Sequence, residues 1–207
     1  HWIRREIKSY GKLEVLKLME RSEPIRLRSF FEENDELADL RKGIAYVKLY
    51  ESKDIKKTYL KWAIPLLKDG LLKYPRHEKG RLFYGKALYN LRDFQSAKIQ
   101  FKLLTDINPS HVEAWINLGL IYQNLKLYVQ AETAYRNALA INPESEIVYN
   151  NLGNVLAELN RLSEAKKAYL KAAYKYHPDR GGSKDDFQKV SIAYTLLKKK
   201  LKERENH

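Results

Sequence analysis

Residues 112–145 read VEAWINLGLIYQNLKLYVQAETAYRNALAINPES. Trp115, Leu118, Gly119 and Tyr122 keep helical spacing, and Ala131, Tyr135 and Ala138 keep it again before Pro143. Moving 34 residues on from this set gives Tyr149, Leu152, Gly153, Leu156, Ala165, Tyr169 and Ala172. Moving 34 back gives Arg81, Tyr84, Gly85, Leu88, Ala97, Phe101, Leu104 and Pro109. Agreement at so many positions makes this part of the chain an array of one helical unit, with each unit stacked on the next.

Each residue type has a physical reason. Gly85, Gly119 and Gly153 lie inside helical patterns, where glycine costs about 1 kcal/mol against alanine. They fit a site where a neighbouring helix approaches closely, and Ala97, Ala131 and Ala165 are expected opposite them. The aromatic four residues after each alanine (Phe101, Tyr135 or Tyr169) shares its helix face and fills the space between units. Pro109 and Pro143 stop the second helix and set the turn. Ser110 with Glu113 reads as a capping box that opens a first helix.

This array resembles the tetratricopeptide repeat, with its period of 34 and its W-L-G-Y-A-F-A-P pattern. The match is nearly complete over 112–145 and good over 78–111, with Arg81 in the aromatic slot. A divergent unit precedes them at 36–77: Ala63, Leu67, Gly70 and Pro75 fit a second helix, after a polar connection through Glu51-Ser52-Lys53-Asp54. Residues 2–20 carry helical spacing through Ile3, Ile7, Leu13, Leu16 and Met19, so 1–35 is expected to be an N-terminal cap or a tether. The expected fold is all-α: about four helix pairs in a right-handed superhelix, three of the units lying in 78–177.

The third unit departs from its own pattern. His177 stands where the proline is due, and Pro178 follows. The run AYLKAAYKYHPDRGG, residues 168–182, resembles the second helix and loop of a J-domain, and FQKVSIAYTLL, residues 187–197, resembles that family's third helix. J-domains stimulate ATP hydrolysis by Hsp70 chaperones. The resemblance implies docking through His177, Pro178 and Asp179 and through the basic face of Lys167, Lys171 and Lys175. The family's short first helix, Y-x-x-L-G, is matched by Tyr149-Asn150-Asn151-Leu152-Gly153, but the same residues open a repeat. A merged arrangement is expected, in which helix 163–176 closes the last repeat and begins a partial J-like hairpin over 164–201. Two readings of that hairpin stay open: a site for Hsp70, or a helical cap on the last repeat, since a repeat stack needs a covered end.

The groove of such a stack is lined by first helices. Asn117 and Asn151 share one repeat phase, with Asn150 and Asn154 beside the latter. An asparagine amide both donates and accepts, which suits an extended peptide backbone. The alternative is that Asn117 and Asn151 cap or bridge repeats. A carboxylate clamp for chaperone tails is not supported by Leu82, Lys86, Asn117, Ile147 and Asn151.

Composition narrows the rest. The 207 residues carry a net charge of +13 and no cysteine, which excludes disulfides, thiol chemistry and cysteine-bound zinc. The excess charge favours acidic partners, although Lys198-Lys199-Lys200-Leu201-Lys202 also reads as a solvated helix face. No phosphate-binding glycine loop, zinc-binding helix or nucleophile elbow is present, so no enzyme activity and no cofactor is expected. His77 and His111, 34 apart, read as equivalent turn residues rather than metal ligands. No apolar run reaches the roughly 18–20 residues of a membrane helix. The chain begins His-Trp, which reads as an excised or processed piece with room for an upstream signal or anchor; an active J-like end favours the cytoplasm. The expected function is a scaffold or adaptor that binds a protein or extended peptide in its groove and recruits Hsp70. A structural assembly factor is the alternative. Nucleic-acid binding is less favoured, and no small-molecule substrate is expected.

Overall fold

The computed structural model describes residues 37–51 and 57–205. The expected N-terminal helix and the connection after Glu51 lie outside the described residues. Among those described there are nine α-helices, one short 3-10 turn and no strand. The helices are α1 (Ala38–Glu51), α2 (Thr58–Lys73), α3 (Glu78–Asn90), α4 (Phe94–Ile107), α5 (Val112–Asn124), α6 (Tyr128–Ile141), α7 (Glu146–Glu158), α8 (Leu162–Tyr176) and α9 (Lys184–Glu205). They divide into two compact units, α1–α3 and α4–α9, with the boundary after Leu91.

In the first unit, Leu40, Ile44 and Val47 of α1 and Leu60, Ala63 and Leu67 of α2 are buried. Two glycines let these helices close. A Cβ on Gly43 would stand 2.5 Å from Leu67 Cγ, and one on Gly70 would stand 2.5 Å from Leu40 Cγ. Each helix thus receives a leucine of the other.

In the second unit, α5–α6 and α7–α8 are hairpins stacked in order, and α9 packs along α8. The helix-to-helix turns place Arg92, Lys126 and Asn160 in the left-handed region, at φ 65°, 58° and 61°. After that reversal the Leu127 N–H donates to the Tyr122 carbonyl (2.8 Å) and the Arg161 N–H to the Leu156 carbonyl (2.9 Å), which closes the helix ends. Helices α2, α4 and α6 end 34 residues apart, at Lys73, Ile107 and Ile141, each two residues before a proline. Helix α8 runs one residue longer, to Tyr176, because its proline is displaced to 178.

Two expectations are corrected. The residue that opens α5 is His111, not Ser110: the His111 Nδ1 accepts the Ala114 N–H at 3.3 Å. Its counterpart His77 accepts the Gly80 N–H at 2.9 Å and opens α3. Nor is it alanine that the repeat glycines make room for in the second unit. A Cβ on Gly119 would stand 2.3 Å from the Tyr135 ring, and one on Gly153 would stand 2.8 Å from the Tyr169 ring. The alanines Ala131 and Ala165 are fully buried beside them.

Arg81 has a role its position did not suggest. Its guanidinium donates to the Pro75 carbonyl, and the Trp115 indole N–H donates to the Pro109 carbonyl at 2.8 Å. Arginine thus supplies the donor that tryptophan supplies one repeat later, from a side chain only 8% exposed. Burial lowers the Arg81 pKa from its ordinary value.

One core runs through α6, α7, α8 and α9. Val190 and Leu197 of α9 are buried in it, and Phe187, Ala193, Tyr194 and Leu201 pack against it. These positions recur every three or four residues, the stripe of a helix lying on a neighbour.

Candidate protein-docking site

Helix α8 has two working faces. Ala165, Ala168, Tyr169, Ala172 and Tyr176 are buried. Lys167, Lys171 and Lys175, one turn apart, are exposed. Leu170 and Tyr174 stand out between the lysines, 48% and 55% exposed. Helical spacing alone separates the faces: positions 165, 168, 169, 172 and 176 face the core, and 167, 171 and 175 face solvent.

At the end of α8 the chain makes a short 3-10 turn, Pro178–Arg180. Proline suits its first position, where no N–H is needed. The His177 carbonyl accepts the N–H groups of Arg180 (2.9 Å) and Gly182 (3.2 Å). Gly181 takes φ 79°, and Gly182 presses so closely on the Tyr176 backbone that a Cβ would stand 2.3 Å from its carbonyl carbon. Glycine at 182 is therefore required for the chain to fold back into α9. Ser183 opens α9 by accepting the Asp186 N–H at 3.3 Å.

Within the loop, His177 Nδ1 accepts the Asp179 N–H at 3.3 Å. Its ring lies edge-on to Phe187 of α9, with centroids 5.1 Å apart. Phe187 so holds the imidazole against the hairpin while the His177 side chain stays 44% exposed. The Asp179 carboxylate is 87% exposed. Arg180 stacks on Tyr174, 3.6 Å from the ring centre. Tyr174, His177, Asp179 and Arg180 border an open hollow of about 460 Å³.

Two contacts tie the lysine row to the leading edge of the third repeat. Lys171 lies over the Tyr149 ring at 5.0 Å, and Lys175 pairs with Glu144. Sequence reasoning missed Glu144, Tyr174 and Arg180. Tyr174 was findable, four residues from Leu170 on the exposed face; Glu144 was not, being 31 residues from its partner.

Of the asparagines, Asn117 donates to its own helix, at the Glu113 carbonyl (2.7 Å). Asn154 Oδ1 accepts the Tyr169 hydroxyl at 2.6 Å, which leaves the amide N–H groups as its remaining donors. Asn150 and Asn151 are half-buried, and the Asn150 Oδ1 is buried without a partner. Asn154 also borders a hollow of about 530 Å³, whose far wall is Ala193, Leu196 and Leu197 of α9. Helix α9 therefore shares this hollow with Asn154 of α7 and Tyr169 of α8. Burial pushes the Tyr169 phenol up to about 12, with Glu158 adding to it. Burial also pushes Tyr176 up to about 12, with Asp186 and Glu146 adding. Among the described residues no group of three or more His, Asp or Glu gathers that would hold a metal.

The geometry defines a helical-repeat chain that ends in a J-type hairpin. Residues 112–145 match the tetratricopeptide repeat, and residues 149–206 match the DnaJ domain. The DnaJ match begins at Tyr149 and so takes in α7 as well as α8 and α9. Solved structures show the fold. A crystal structure of MamA is 21% identical, with TM-score 0.64 over 72% of this chain and 82% of that one. The MamA RS-1 ArsTM double mutant is 19% identical, with TM-score 0.66 over 82% and 87%. The Sgt2 tetratricopeptide domain from Aspergillus fumigatus is 18% identical, with TM-score 0.55 over 63% and 82%. No curated protein is similar to the chain at a significant level. Both matched modules are protein-interaction modules rather than catalytic ones.

Proposed function

We propose that the chain is a non-catalytic adaptor that recruits Hsp70 through its J-type end and holds a second protein on its repeats. The observation that carries this is the exposed Asp179 carboxylate beside His177, at the end of a helix whose three exposed lysines form one row. A positive row with an exposed carboxylate at its tip fits a partner that is acidic along the row and offers a donor at its end. The repeats supply the other contact: the Asn154 amide N–H groups border the hollow beside α9 and suit the carbonyls of an extended peptide.

The test is ATP hydrolysis by Hsp70 with and without the purified chain. The parent should accelerate it, His177→Gln should abolish the acceleration, and Lys171→Glu with Lys175→Glu should weaken it. Added salt should mimic the lysine changes, because the contact is electrostatic and exposed. A parent chain without effect would end the Hsp70 reading. The second reading, a structural cap, is favoured by the burial of Val190 and Leu197. It predicts that loss of these two side chains matters while changes at His177 do not.

A further inference from the structure

The turn that leads into the third repeat brings an acid to the lysine row. Glu144 sits in the turn between α6 and α7, where its N–H donates to Asn142 Oδ1 at 3.2 Å. Its carboxylate pairs with Lys175, the lysine nearest the His-Pro-Asp loop. The pair stands on the wall of an open groove of about 490 Å³, lined also by Pro143, Leu170 and Tyr174. The Glu144 side chain is 71% exposed and that of Lys175 is 38% exposed. An ion pair this open is weak and easily exchanged.

Building on the J-type reading, we propose that Glu144 is an internal competitor for the acidic groups of the docking partner. It occupies Lys175 in the free chain and must be displaced when a partner carboxylate arrives. The repeat thus lowers the affinity of the very surface it presents. The lysine row and Glu144 come together only because α8 serves the repeat and the J-type hairpin at once. The turn before α7 is part of the repeat, whereas Lys175 belongs to the docking face. The chemistry of the occupant is an acidic protein surface with apolar neighbours, to match Leu170 and Tyr174.

Two readouts test this on the full chain. The first is binding of a short poly-glutamate peptide, and the second is the chain concentration that half-maximally accelerates Hsp70. Glu144→Gln should improve both by about two- to fivefold, the range expected for an exposed pair. The gain should vanish in the Lys175→Gln background. Asp106→Asn, which removes an exposed carboxylate on α4, should change neither readout. A Glu144→Gln protein equal to the parent in both readouts would overturn the proposal, as would a gain that persists without Lys175. Tighter poly-glutamate binding by Glu144→Gln, with no acceleration of Hsp70 by any form, would sustain the competition and sink the J-type reading. Loss of acceleration in His177→Gln, with no difference between Glu144→Gln and parent, would do the reverse.

Discussion

The Tyr135 ring lies where a side chain on Gly119 would begin, with Cε1 2.3 Å from the place of a Cβ. Gly119→Ala should therefore destabilise the chain by about 1–3 kcal/mol, as overpacking does. The better helix propensity of alanine offsets about 1 kcal/mol of this. Gly153→Ala meets Tyr169 at 2.8 Å and should cost less. Thermal melting of both variants checks the order. Tyr135→Leu should make Gly119→Ala harmless relative to its own parent; if the cost stays the same, the ring is not what excludes the methyl.

Arg81 and Trp115 hold their preceding proline turns by the same bond. Arg81→Leu leaves the Pro75 carbonyl without this donor, and a hydrogen bond from a charged group contributes about 1.5–3 kcal/mol. Arg81→Trp should recover much of that, because it restores the residue that does the same work at 115. Denaturant midpoints of the two variants separate the donor from the charge. Equal losses for Leu and Trp would mean that the guanidinium acts through something other than this carbonyl.

The histidine caps make a third prediction. His111→Ala should cost about 1 kcal/mol and His111→Asn should not, since asparagine is among the best acceptors at a helix start. Ser110→Ala should be near neutral, because His111 accepts the N–H at the third helical position. A melt in which Ser110→Ala is the costly change would return the cap to serine.

Stability of the C-terminal hairpin should rest on two residues of α9. Leu197 is 2% exposed and Val190 is 1% exposed. Leu197→Ala should cost about 2–5 kcal/mol. Leu196→Ala, at a site 61% exposed, should stay within about 0.5 kcal/mol. Hydrogen exchange of α9 amides would locate the loss.

Alkaline pH gives a fifth prediction. Tyr169 and Tyr176 are pushed up to about 12 by burial, from an ordinary 10.0. Between those values the unfolded chain gives up protons that the folded chain keeps. Stability is therefore full below pH 10 and falls as pH rises toward 12. Ultraviolet titration should show Tyr169 and Tyr176 among the late phenols, along with Tyr46, which burial and the neighbouring Tyr59 also raise. Tyr169→Phe should flatten the fall, and an unchanged slope would contradict the burial of its hydroxyl.

The repeat was legible in the sequence because helical spacing and a fixed 34-residue offset are properties of one dimension. So was the J-type loop, a contiguous run ending in Gly181 and Gly182. What was not legible depends on three. The partner of Gly119 is a ring 16 residues away, not the alanine nearer in sequence, and only the crossing of α5 and α6 decides between them. Histidine is a rare helix opener, and its use at 77 and 111 depends on which ring nitrogen faces the helix. Arg81 looked like a lapse from the aromatic pattern because the pattern records shape, whereas the residue is placed for its donor. Glu144 and Lys175 meet only once the α7–α8 hairpin has closed.

Helix α8 has no hinge between its two duties. A domain hung on a flexible tether samples many bearings and meets its target by diffusion within a radius. Here the helix that completes the third repeat is the one that carries the lysine row, and His177 follows its last turn directly. Whatever docks at His177 is held at a constant bearing to whatever lies along α5 and α7. The chain would then act as a set square rather than a leash: it would fix the angle at which two partners face one another, and an inserted residue between Ala172 and Tyr176 would rotate one against the other by about 100°.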